Sequence, residues 1–126
     1  MIRKPKYSQW RTIPTARNFL KKLISIGKIA SHLGIVRATS RDGRLVERIQ
    51  VSYDHTILDL IIQDIKGMQG IIEVLVETRE GVLQIGDEIL AVVVAGDIRE
   101  NVFDALITAV NRIKAEASKK KEKLME

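Results

Sequence analysis

The sequence predicts an α+β domain with antiparallel strand pairing, and three observations carry that reading. Residues 89–95 are an unbroken apolar run between two Gly-Asp turns, which suits a strand covered on both faces. The segment after it repeats apolar residues at three- and four-residue spacing, as an amphipathic helix does. Elsewhere short apolar segments of strand character alternate with Gly, Asp and Pro turn signals, and only a few helical stretches intervene.

In chain order, residues 1–15 are irregular, broken by Pro5 and Pro14, with Trp10 expected to dock this arm on the domain. Thr15 can cap a helix from Ala16 to about Ile26, with Phe19, Leu20 and Leu23 inward and Gly27 ending it. Ile29 to Ala38 reads as the first strand. Thr39 to Gly43 is a turn with Asp-Gly hairpin chemistry. Leu45 to Tyr53 alternates Ile49, Val51 and Tyr53 with Arg48, Gln50 and Ser52, so one face is covered.

Asp54 or Thr56 opens a helix to about Lys66, with Ile57, Leu60, Ile61 and Ile65 inward. Strands follow at Ile71–Glu77, Val82–Ile85 and Ile89–Ala95. Asp97 and Glu100 form the spacing of a reciprocal capping box. The last helix then buries Val102, Phe103, Leu106, Val110 and Ile113, and the chain closes in lysines. The expected organisation is a basic arm and first helix over 1–28, a domain over 29–118 and a lysine-rich tail over 119–126.

Composition narrows the chemistry. The 126 residues, 45% of them hydrophobic, suffice for one domain with a true core. With no cysteine, disulfides, thiolate metal sites and a cysteine nucleophile are excluded, and two histidines do not make a histidine-rich metal site. No apolar run approaches a membrane span and no secretory signal is evident, so the expected location is the cytoplasm. The net charge of +5 is local: residues 1–28 hold eight basic residues and no acid. Such an arm is either solvated or holds an anionic partner, including nucleic acid. Interleaved aromatics are few, and no nucleic-acid motif is present.

The stretch from Gly86 to Lys121 resembles the C-terminal half of the catalytic (large) subunit of molybdopterin synthase. Gly86-Asp87-Glu88, Arg99, Phe103-x-Ala105 and Ile113-Lys114 fall in the family's register without a gap, and Lys121 takes the position of its second lysine. Upstream, Gly34-Ile35-Val36-Arg37 resembles the family's Gly-x-Val-Arg strand, and Arg79-Glu80-Gly81-Val82-Leu83 its Arg-x-Gly-x-Leu hairpin. The order and spacing together cover about Leu33 to Lys121.

The resemblance implies an α/β hammerhead-like domain with an antiparallel sheet, packed helices and a small β-subdomain. It implies sulfur transfer from a small ubiquitin-like carrier ending in a Gly-Gly thiocarboxylate to cyclic pyranopterin monophosphate, making the dithiolene of molybdopterin. Lys114 and Lys121 are then the catalytic candidates, and Arg37, Arg99 and, less directly, Arg79 the anion-binding ones. The enzyme itself needs no metal or other cofactor. A lysine amine can act as acid, base or nucleophile where burial or neighbouring cations lower its pKa, and Arg112 stands beside Lys114.

If the helix continues, Lys114 and Lys121 share one face about 10 Å apart. Arg99 and Lys114 are about 22 Å apart along a straight helix, so one substrate reaches both only in a site shared by two subunits. The family's homodimer with composite sites, which becomes a heterotetramer with its carriers, meets that requirement. The sequence departs from the family at Ile98, where the pattern has histidine, and at Lys120, where it has tryptophan. Ser118 replaces a proline, Ser52 an acid, and the chain stops at Glu126 where members often continue. These departures keep open a second class of function, a non-catalytic homologue that retains the dimer and the carrier-binding surface.

Overall fold

The computed structural model describes residues 24–125. The basic arm, Trp10 and nearly all of the expected first helix lie outside them. Six strands and two α-helices follow: β1 (Lys28–Ile35), β2 (Val46–Tyr53), α1 (His55–Lys66), β3 (Ile71–Thr78), β4 (Gly81–Gln84), β5 (Glu88–Gly96), α2 (Arg99–Arg112) and β6 (Ser118–Leu124). A π-helical turn over Ile113–Ala117 joins α2 to β6. The strands form two antiparallel three-stranded sheets, ordered β1-β5-β3 and β4-β2-β6.

The apolar run becomes β5, the central strand of the first sheet, with Leu90, Val92 and Val94 buried. Their partners in β3 and β1 face the same way, and Val102, Ala105, Ala109 and Ile113 of α2 and its extension complete the layer. In β2 the buried residues Ile49, Val51 and Tyr53 are those that the alternation placed inward. The Thr39–Gly43 turn closes by the Ser40 N–H donating to the Arg44 carbonyl at 2.8 Å, with Gly43 at φ +87°.

Helix α1 is capped as expected: Asp54 accepts from the Ile57 N–H at 3.1 Å. Its inward face differs by one position. Leu58 is buried beside Ile61 and Ile65, whereas Leu60 is 60% exposed. A helix advances 100° per residue, so with Ile61 and Ile65 fixed on the core, the residue three before Ile61 shares their face and Leu60 flanks it.

The start of α2 also corrects the sequence reading. Ile98, not Asp97, is the N-cap, and no side chain caps the helix. The Asp97 N–H is held by the Gly70 carbonyl at 3.0 Å, which fixes that residue one step outside the capping position. Its carboxylate accepts instead from the Ile98 N–H at 2.7 Å and the Asn101 amide at 2.9 Å, and these bonds keep its pKa low. Glu100 pairs with Arg99 at 3.2 Å, so the capping box is not formed. Gly70, at φ +75°, is where a glycine is required: a Cβ there collides with both the Asp97 and Asn101 side chains. Phe103, expected inward, is 54% exposed, since Val102 and Ala105 hold the buried face of α2.

The lysine-rich end is the largest departure. The helix does not carry on to Lys121; β6 pairs with β2 from Tyr53↔Ser118 to Val46↔Leu124. The π turn unwinds the helix, with Ala117 buried and the Ser118 hydroxyl donating to the Lys114 carbonyl at 3.2 Å. Strand pairing satisfies the edge of β2 that β4 leaves open, while Lys119, Lys121 and Lys123 take the face of β6 opposite to Lys120.

Candidate active site

A cavity of about 650 Å³ opens between the two sheets, and each wall comes from a different element. Strand β1 presents His32 and Gly34, the segment after it Arg37 and Arg41, β2 Val51 and Tyr53, and β5 Ile89 and Leu90. The π turn contributes Ile113 and Lys114, and β6 contributes Ser118 and Lys120. The floor is apolar, with Ile113 fully buried and Val51 and Leu90 nearly so. The rim is cationic: Arg37, Arg41, Lys114 and Lys120 converge on a lining that holds no carboxylate. Such a chamber favours an anion at its mouth and an apolar or planar body within it.

Two of the five sequence-predicted site residues meet here, Arg37 and Lys114. Arg37 reaches the cavity because β1 ends at Ile35 and the chain turns, its path held by the Val36 N–H donating to the Asp87 carbonyl at 2.9 Å. Lys114 arrives because the buried Ile113 anchors the π turn one residue earlier. Lys121 does not line this cavity. Directly opposed residues of an antiparallel pair share a face, and Lys120 opposes the buried Val51 whereas Lys121 opposes the exposed Gln50. Lys121 borders a shallow groove on the other side with Arg48, Val82 and Lys123. Arg99 sits at the far end of α2, paired with Glu100, and Arg79 follows β3 outside the cavity lining.

Arg112, expected to act on Lys114, is occupied elsewhere. It donates to Glu116 at 2.8 Å and to Asp64 at 2.8 Å, a clamp between α2, the π turn and α1. Both contacts raise the guanidinium pKa further, and Arg112 in turn lowers that of Glu116. The clamp has a measurable pH signature. Because the folded pKa of Glu116 is depressed, its contribution is fully present above the ordinary value of 4.5 and is lost as pH falls through the folded value. Urea midpoints of Glu116→Gln are therefore expected to lie below wild type at pH 7 and to converge on it below pH 4.5. A gap that persists unchanged at low pH would show that the carboxylate's charge is not involved.

The sequence did not single out His32, Arg41, Lys120 and Tyr53 for the site. Strand alternation is the signal that finds three of them: His32 shares a face with Gly34, Tyr53 with Val51, and Lys120 with Ser118. Tyr53 donates from its hydroxyl to the Ile89 carbonyl at 3.4 Å, and burial, then Glu80, raises its phenol pKa. His55, the other histidine, pairs with Glu80 at 2.9 Å on the surface. Among the described residues no group of three His, Asp or Glu side chains is placed to hold a metal, and no helix is long and apolar enough to cross a membrane.

The profile of the MoaE protein family matches residues 12–116. The chain belongs to the MoaE family. It is similar to the crystal structure of molybdopterin synthase from Staphylococcus aureus, with 25% identity and a TM-score of 0.70 over 81% of this chain and 77% of that one. A molybdopterin biosynthesis MoaE protein from Burkholderia ambifaria shares the fold at 23% identity and a TM-score of 0.64, covering 98% of this chain and 84% of that one. So does a chain from the Helicobacter pylori complex of subunits 1 and 2 of molybdopterin-converting factor, at 17% identity, a TM-score of 0.63, and 91% and 81% coverage. No curated protein matches.

Proposed function

We propose that this chain catalyses sulfur transfer from a thiocarboxylated carrier protein to cyclic pyranopterin monophosphate. Its MoaE membership gives it a role in molybdenum cofactor biosynthesis as the large subunit of molybdopterin synthase. The observation that carries the chemistry is the cavity, in which Lys114, Lys120, Arg37 and Arg41 surround an apolar floor with no acid among them. Both reactants are anions, a cyclic phosphate and a thiocarboxylate, and guanidinium groups suit phosphate and carboxyl geometry. Lys114 is the group at the reacting centre, and Arg37 holds an anionic end of the substrate.

The partner in this reading is a small ubiquitin-like subunit whose Gly-Gly end threads the cavity mouth. Arg99, at the N-terminus of α2, serves the site of a second copy in a homodimer, because the length of the helix separates it from Lys114. Lys121 and Arg79 take supporting roles at the carrier surface. A second reading, the non-catalytic homologue, is favoured by Ile98, an exposed apolar side chain where the family pattern has histidine.

One experiment separates them. Purified protein is mixed with thiocarboxylated carrier and cyclic pyranopterin monophosphate, and the dithiolene product is measured alongside carrier binding. Product is the expected result. Carrier binding without product favours the non-catalytic homologue, and neither product nor binding overturns both readings.

A further inference from the structure

Sulfur transfer as described leaves His32 without a task. The β1 alternation turns His32 inward, over Gly34, where its Nδ1 is buried and makes no hydrogen bond. A Cβ on Gly34 would sit 3.6 Å from the imidazole Cε1, so the ring lies beside a strand position that carries no side chain.

The charged and titratable groups that face the same space come from every other wall. They are Arg37 and Arg41 after β1, Tyr53 on β2, Lys114 on the π turn and Lys120 on β6, while β5 supplies only Ile89 and Leu90. Guanidinium and ammonium groups donate hydrogen bonds and accept none, and a phenol keeps its proton at neutral pH. Burial first, and the Lys114 charge second, lower the His32 pKa, outweighing the opposite pull of its own backbone. The imidazole is therefore neutral at pH 7, and within this lining it is the group of intermediate basicity able to take a proton.

We propose that His32 is the general base that frees the carrier from its product. This inference rests on the sulfur-transfer reading. When the thiocarboxylate sulfur has bonded to a substrate carbon, the carrier remains attached through an acyl–sulfur bond, which water must cleave. The water oxygen bonds to the acyl carbon while Nε2 of His32, the ring nitrogen that is not buried, takes one of its protons. The carbon–sulfur bond breaks, and its electron pair leaves on the sulfur as the substrate thiolate. The carrier's new carboxylic acid ionises to solvent, and the imidazolium returns its proton to solvent for the next turnover. No oxidant or reductant is required. Lys114, across the cavity, stabilises the negative charge that passes from acyl oxygen to sulfur.

The test is a single-turnover reaction of the full chain with thiocarboxylated carrier and cyclic pyranopterin monophosphate, followed by intact mass from pH 5.5 to 8. It compares wild type with His32→Gln and, as a second substitution of different size, His32→Asn. Adduct formation and adduct release are read separately. In the wild type, release is expected to slow on the acid side with a midpoint below 6.5, because only neutral imidazole accepts the proton. Release is read per adduct formed, so a slower first step in the variants does not enter it, and their circular dichroism and thermal midpoints show that they fold. The variants should release adduct about 100-fold more slowly, without the acid limb. Release at the wild-type rate with the wild-type pH profile in either variant overturns the role of His32 alone. No adduct with wild-type protein overturns the sulfur-transfer reading, and this inference with it.

Discussion

Lys114→Ala is expected to lower dithiolene formation by about 10²- to 10⁴-fold, the range lost when a positioned proton-transfer or charge-stabilising side chain is removed. Lys114 lines the cavity one residue beyond the fully buried Ile113 of its floor. The side chain is itself exposed, so its removal leaves the fold intact and the thermal midpoint close to wild type. The informative comparison is with the two lysines of β6. Strand pairing directs Lys120 toward the cavity and Lys121 away from it. Lys120→Ala should therefore reduce activity clearly, and Lys121→Ala should leave it within a few-fold of wild type. A silent Lys120→Ala with a damaging Lys121→Ala would mean that the motif position, rather than the observed pairing of β6 with β2, governs the site.

Ile113→Ala should cost about 2–5 kcal/mol of stability, the usual range for truncating a large aliphatic side chain in a packed interior. Ile113 is 0% exposed and lies where α2, the π turn and the cavity floor meet. Little can collapse into the space it leaves, because the cavity on one side is already open and the other side is the close-packed layer of Val102, Ala105 and Ala109. For a domain of this size the loss corresponds to a fall in thermal midpoint of roughly 10–20 °C. Ile107→Ala, on the solvent side of α2 with 59% exposure, is the control and should change stability by no more than about 0.5 kcal/mol. Equal effects of the two substitutions would place the core on the wrong face of the helix.

The parts of this fold that the sequence made legible are those where one periodicity acts without competition. The run from Ile89 to Ala95 is a strand as read, although only its Leu90, Val92 and Val94 face is buried while Ile89, Ala91 and Val93 are half-buried, and β2 shows its covered face in three successive alternations. The first turn of α2 was misread because the Asp-x-x-Glu spacing is local, whereas the position of Asp97 is set by the Gly70 carbonyl, far away in sequence. The lysine-rich end was misread for a related reason. A run of lysines carries no period of its own, and only the unpaired edge of β2 decides that it becomes a strand.

The site divides in the same way. Arg37 and Lys114 became candidates because they lie in motifs, and the structure brings them to one cavity. His32, Arg41 and Lys120 carry no motif, and their shared destination depends on the approach of two sheets. The pairing of Arg112 with Asp64 is equally invisible in sequence, since it joins helices forty-eight positions apart.

The partnership of β2 with β6 has a temporal consequence. The two strands are separated by roughly seventy residues of chain, so β2 is synthesised long before the strand that completes its sheet. A nascent chain that has emerged only as far as α2 can assemble the β1-β5-β3 sheet but not the cavity, which still lacks Lys120 and the strand that carries it. During that interval β2 offers an unsatisfied edge, open to pairing with other chains. Closure of the second sheet is thus a late step that shields this edge and builds the site in a single event.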